Sequence, residues 1–174
     1  TVAFPIFERA KDLGIDTIAI HKAVPFGPVP RATFHPGDVD EAASSFPDIN
    51  FSIVHGGIAF AEETAWQLAR FPNVYVNLDQ MGWILTVNER AFAERLATLL
   101  SVGGEDMIDR LMWGSGAVAF HPQPQLEAFK RFAFPDEIRQ QGDLWWSDEL
   151  PQLTDEHKRK ILGKNYADLI GVDI

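Results

Sequence analysis

Four short apolar runs, each flanked by segments with helical spacing, constrain the fold more than any other feature of this sequence. They span residues 17–21 (TIAIH), 50–55 (NFSIVH), 74–78 (VYVNL) and 109–113 (DRLMW). Apolar runs of this length, bounded by turn residues, suit strands covered on both faces. The first helical segment ends at Gly14, a candidate C-cap. Asp38 is a candidate cap for a helix over 39–46, and a third helix covers 62–71 with Ala65, Leu68 and Ala69 inward. The longest, 88–102, puts Phe92, Leu96, Leu99 and Leu100 on one face and stops at Gly103-Gly104. Another helix lies near 125–132. The last starts at Thr154, with Asp155 and Glu156 in its first turn and Leu162, Tyr166, Leu169 and Ile170 as its buried face. Strands joined by helical crossovers are parallel, so the chain is α/β.

The balance of residues narrows the function classes. Of the 174 residues, 46% are hydrophobic and 23% charged, which is globular composition. The length suits one domain with a sizeable core. A net charge of -10 counts against nucleic acid and against anionic membranes as partners. No apolar run is long enough for a transmembrane helix. The absence of cysteine excludes disulfides, thiolate metal sites and a Cys nucleophile, and is compatible with the cytoplasmic location expected here. Gly114-Ser115-Gly116 is too short for a phosphate loop and lacks its lysine, and no Gly-x-Ser-x-Gly elbow occurs.

In parallel α/β folds, chemistry sits at the C-terminal ends of the strands. The first run ends in His21, the second in His55-Gly56-Gly57, the third in Asn77-Leu78-Asp79 and the fourth in Ser115-Gly116. Histidines at equivalent ends of adjacent strands can converge, because neighbouring strands lie about 4.8 Å apart. Imidazoles there suit a divalent metal or proton transfer, although a strand-end histidine is as readily a buried, hydrogen-bonded side chain. Gly56-Gly57 reads either as a turn or as a place where backbone approaches a ligand. His35 and His121 lie in loops, and His121, after the fourth strand, is the better pocket candidate. His157 and the Lys158-Arg159-Lys160 cluster are expected to be solvated, Asp109 to cap or pair locally, and Trp145-Trp146 to pack in a core or interface.

Several of these stretches, in this order, resemble the amidohydrolase-2 family. They are Ile20-His21-Lys22, Asp38-Val39-Asp40-Glu41-Ala42-Ala43, Phe46-Pro47-Asp48, Val54-His55-Gly56-Gly57, Phe71-Pro72-Asn73-Val74-Tyr75, the run from Asp109 to Ser115, and the ending over 161–171. This family includes aminocarboxymuconate-semialdehyde decarboxylase and related aromatic-acid decarboxylases. The resemblance implies a (β/α)8 TIM barrel with a divalent metal, zinc or manganese, at its C-terminal mouth. It implies that His21 is a metal ligand and His55 the catalytic acid/base, and that Trp83 and His121 line the substrate pocket. The motifs match the family's strands five to eight, so residues 1–174 are expected to form the C-terminal half of a metal-dependent, hydrolase-like barrel. The missing N-terminal half would come from a longer chain or a second copy. The absence of an initiator Met fits that expectation.

Two departures stand out. The family's first-strand ligand pair, His-x-His or Glu-x-His, is absent. The Gly-Ser-Asp that usually ends its eighth strand is Gly114-Ser115-Gly116 here, so that carboxylate is missing. Asp79, past the neighbouring strand, is noted as a substitute but not assigned. Loss of the carboxylate tilts the expected chemistry away from hydrolysis. The expected function is decarboxylation or hydrolysis of a small carboxylated aromatic or ring-cleavage product. A metal-free, non-catalytic relative serving in binding or oligomerisation is the alternative. A plain open, doubly wound α/β binding domain is the third reading, and it requires a complete sheet from these residues alone.

Overall fold

The computed structural model describes residues 2–22, 25, 27–117, 120–140, 144–145 and 149–174. Its sheet has four parallel strands in sequence order: β1 (Thr17–Ile20), β2 (Asn50–Ile53), β3 (Val74–Asn77) and β4 (Leu111–Met112). The order never reverses, which distinguishes this sheet from a doubly wound one and gives it the progression of a barrel wall. Pairing runs Ile20↔Ile53, Ile53↔Val76 and Val76↔Leu111, so the strands end nearly level.

Helices cover the face that these residues share. α1 (Phe4–Asp12) and α2 (Val39–Ser45) pack Phe7, Val39, Ala42 and Ala43 against Phe51, Ile53 and Val74. α3 (Ala61–Arg70) and α5 (Glu89–Leu100) bring Leu68, Phe92, Leu96 and Leu99 against Val76 and Leu111. α4 (Met81–Val87), which the sequence pattern had not separated from its surroundings, packs with α5 and α6 (Pro122–Arg131). Neighbours in a parallel ladder share a face, so the opposite face carries Ala19, Ser52 and Tyr75, then Asn77 and Met112. Ala19 is exposed there, and Tyr75 and Asn77 are partly exposed. β1 is therefore not covered on both faces, contrary to the expectation from its composition.

Among the described residues the β1 edge is open and the β4 edge is covered. Leu78 N–H donates to Met112 O, so Met112 faces β3 and its neighbours Leu111 and Trp113 face outward. Their groups are taken: Leu111 O accepts from Asn165 Nδ2, and Trp113 N–H donates to Ile161 O at 2.8 Å. The cover is the C-terminal helical run, α7 (Asp155–Arg159), a π turn (Lys160–Lys164) and α8 (Asn165–Leu169). The wider π turn shifts the inward face. Ile161, Asn165 and Ala167 are buried and Leu162 packs partly buried against the core as expected, while Tyr166 and Ile170 are 51% and 46% exposed.

Other local expectations also change. β4 is two residues long because residues 104–110 coil into a 3₁₀ turn, from which the Arg110 guanidinium bonds the carbonyls of Leu68, Phe71 and Val74. Asp38 does not cap α2 through its side chain; it pairs with Lys22 at 2.7 Å. Asp109 pairs with Lys160, distant in sequence, at 2.6 Å. His157 is not solvated. It completes a capping box with Thr154 and meets Glu105 at 2.8 Å with its side chain 12% exposed. The α5 face and the αL glycines that close α1 and follow α5, Gly14 and Gly104, lie where the sequence put them.

Asn165 Nδ2 also reaches Ile108 O, at 2.7 Å, so one buried amide bridges the Ile108 and Leu111 carbonyls. Asn165→Ala is expected to cost about 2–4 kcal/mol of unfolding free energy. Urea denaturation of the two proteins measures it, and an unchanged midpoint would mean that this amide does not hold the β4 edge.

Candidate functional site

The level strand ends gather four segments at one rim of the sheet. His21 follows β1, His55 follows β2, Asp79 follows β3, and Ser115-Gly116 lies beyond β4. The loop after β1 is folded back by Lys22, whose ammonium reaches both Asp38 and Thr33 O. This brings Phe34 edge-on to His21, with ring centroids 5.9 Å apart. After β2 the chain turns sharply: His55, Gly56 and Gly57 all take left-handed backbone angles, with φ of 67, 58 and 65°. For His55 that conformation costs about 1 kcal/mol or more, a strain typical of functional positions. The glycines are there for packing. A Cβ on Gly56 would lie 2.8 Å from Met81 Cγ, and one on Gly57 2.5 Å from Thr64 Oγ1, so this backbone approaches protein atoms.

The turn sets the His55 ring T-shaped against His21, with centroids 4.8 Å apart. Its Nδ1 lies 3.5 Å from Asp79 Oδ2, beyond hydrogen-bond reach. Asp79 is held by its own turn, in which its N–H donates to Asn77 Oδ1 at 2.9 Å and the next residue, Gln80, is left-handed. Both His55 Nδ1 and Asp79 Oδ1 are buried without a hydrogen-bond partner among the described residues. Burial lowers the His55 pKa below the ordinary imidazole value; the Asp79 charge pulls it partly back, and His21 lowers it further. His55 is thus held neutral near pH 7, able to accept a proton.

The other sequence candidates make local contacts. Trp83, on α4, is 38% exposed and stacks on Phe120 with centroids 4.8 Å apart. His121 caps α6, its Nδ1 accepting from Gln123 N–H at 3.2 Å. His35 likewise accepts from Gly37 N–H and packs on Phe60. Trp145 is 64% exposed and meets Trp66 edge-on; Trp146 lies outside the described residues. A cleft of about 810 Å³ lined by Glu62, Trp66, Glu94, Thr98, Trp145 and Leu150 lies on the helical side, and its lining contains neither rim histidine. The rim chemistry decides the reading of function, because the cleft holds no comparable constellation.

Among the described residues, no group of three or more His, Asp or Glu side chains is arranged to hold a metal ion. Nor is any helix among them long and apolar enough to cross a membrane.

The buried neutral His55 makes stability depend on pH. The unfolded chain takes up its proton near the ordinary imidazole value of about 6.5, before the native state does. Native stability is therefore expected to fall as pH drops through that value toward the lowered native pKa. In chelator-treated protein, His55→Gln should flatten this slope in denaturation measured from pH 7.5 to 5. An unchanged slope would show that His55 is not the group responsible.

Comparison with curated proteins and with solved structures returns no match. A family model described as Amidohydrolase matches residues 2–172, and so the chain belongs to the amidohydrolase-2 family, whose function is in general of the hydrolase or decarboxylase type and whose members commonly bind divalent metals.

Proposed function

We propose that this chain is the strand-five-to-eight half of an amidohydrolase-2 barrel that decarboxylates or hydrolyses a small carboxylated aromatic or ring-cleavage product. The observation that carries the reading is the meeting of His21 and His55 at the C-terminal ends of adjacent parallel strands, with the Asp79 carboxylate beside them. The β1 edge, which no strand pairs among the described residues, and the exposed Ala19 on the inner face support a sheet that continues into further strands. Closure past β4 would have to displace or pass the Asn165 and Ile161 contacts.

In this reading His55 is the acid/base. Held neutral by burial, it can take a proton from water in hydrolysis, or carry the proton that replaces a departing carboxyl group on a ring carbon. His21, packed against it, fixes the ring and is the residue we assign toward a metal. The described side chains do not make a complete metal site by themselves, so the remaining donors would have to come from outside them, and no step here depends on one. Trp83 and His121, from the segments around β4, are assigned to the substrate pocket.

The decisive experiment offers the protein a panel of small carboxylated aromatics and follows carbon dioxide release and hydrolytic products separately. Turnover of a carboxylated member is expected, and His55→Asn should lower kcat about 10²-fold or more with little change in KM. Zinc or manganese bound in near-stoichiometric amount and lost in His21→Ala would support the ligand role. Turnover unaffected by His55→Asn would overturn the assignment. A second reading, a non-catalytic relative acting in binding or oligomerisation, is favoured by one observation: Gly116 carries no side chain where the family has its carboxylate. No turnover across the panel, with or without added metal, would favour that reading.

A further inference from the structure

Gly116 leaves the β4 end without a carboxylate, yet the space beside it is filled. A Cβ built on Gly116 would lie 2.5 Å from Asp79 Oδ1, and the residue has φ +57. A Cβ on Gly114 would lie 2.9 Å from Asp79 Cβ and would also run into Asn77 Oδ1. That oxygen accepts the Asp79 N–H, which fixes the backbone carrying the carboxylate. Asp79 Oδ1 is buried with no hydrogen-bond partner among the described residues, while Oδ2 faces His55 Nδ1. A buried carboxylate oxygen left unpaired is costly and calls for an explanation.

We propose that Asp79 supplies the carboxylate of this site from the end of β3, and that position 116 is glycine because this carboxylate occupies the volume a side chain there would need. Asp79 is then a positioning residue. Facing Nδ1 of His55, it keeps the imidazole proton on that nitrogen and leaves Nε2 bare to exchange protons with a ligand. This role rests on the reading of His55 as the proton carrier, but its tests need no turnover.

A double-mutant cycle tests the shared volume. Gly116→Ala is expected to lower Tm by about 5 °C. In an Asp79→Ala background the loss should be clearly smaller. The left-handed backbone cost is common to both backgrounds, and only the contact with Oδ1 differs. If Gly116→Ala does not fold alone, recovery of folded protein on adding Asp79→Ala is the same supporting result. Equal losses, or no recovery, would overturn the proposal. Nitrogen-15 spectra of the imidazoles test the positioning role. His55 should show the Nδ1–H tautomer in the wild type and lose that preference in the near-isosteric Asp79→Asn. The same tautomer in both proteins would remove the role. An inactive protein with both signatures would refute the proposed function alone, and an active protein lacking them would refute this assignment alone.

Discussion

The site depends on the register of a short parallel sheet. Because Ile20, Ile53, Val76 and Leu111 stand side by side, the residues that follow each strand emerge at one level. Strand spacing of about 4.8 Å then brings their side chains within reach of one another. A slip of one residue in any strand would turn its core residues to the other face and move its rim residue out of the group. The cores beneath β2 and β3 are what prevent the slip: Phe51, Ile53, Val74 and Val76 are fully buried against helices α1, α2, α3 and α5. Hydrophobic burial thus positions polar groups it never touches.

The same contrast separates the two sides of the sheet. On the helical side, two polar side chains each gather several backbone carbonyls. Asn73 Nδ2 reaches the carbonyls of Ala43, Phe46 and Ile49, and Arg110 gathers three more. These contacts tie loops to strands and keep the lower half of the sheet rigid. At the rim, a strained histidine and a facing carboxylate stand close without closing a hydrogen bond between them, and a second imidazole packs beside them. The fold keeps that arrangement because stability from the lower half outweighs its cost.

Much of this was legible in the sequence where one local signal decided the outcome. The strand runs, the Phe92–Leu96–Leu99–Leu100 face and the glycine after α1 follow from periodicity and turn chemistry alone. The family was legible too, because several motifs recur in order. What could not be read depended on partners distant along the chain. His157 looks solvated until Glu105 is placed beside it, and the inward face of the last helix cannot be found from spacing when a π turn changes the spacing. β4 shortens because Arg110 spends its donors on carbonyls from α3 and β3. Asp79 can be named from the sequence but not assigned, for a related reason. Its sequence neighbours mark only a strand end, and its place against Gly116 exists only once β3 and β4 are paired.

That pairing changes what the missing carboxylate at 116 means. Read along one strand, Gly116 is a loss, and it points toward an inert relative. Read across two strands, it is half of an exchange, since the volume a side chain would take at 116 is held by Asp79 Oδ1. A carboxylate delivered from the neighbouring strand end arrives from a different direction, facing the Nδ1 side of His55. An imidazole held on that side presents its other nitrogen outward, toward whatever enters the rim. The proton-handling part of the site can therefore be complete within these strands even though the described residues hold no complete metal site.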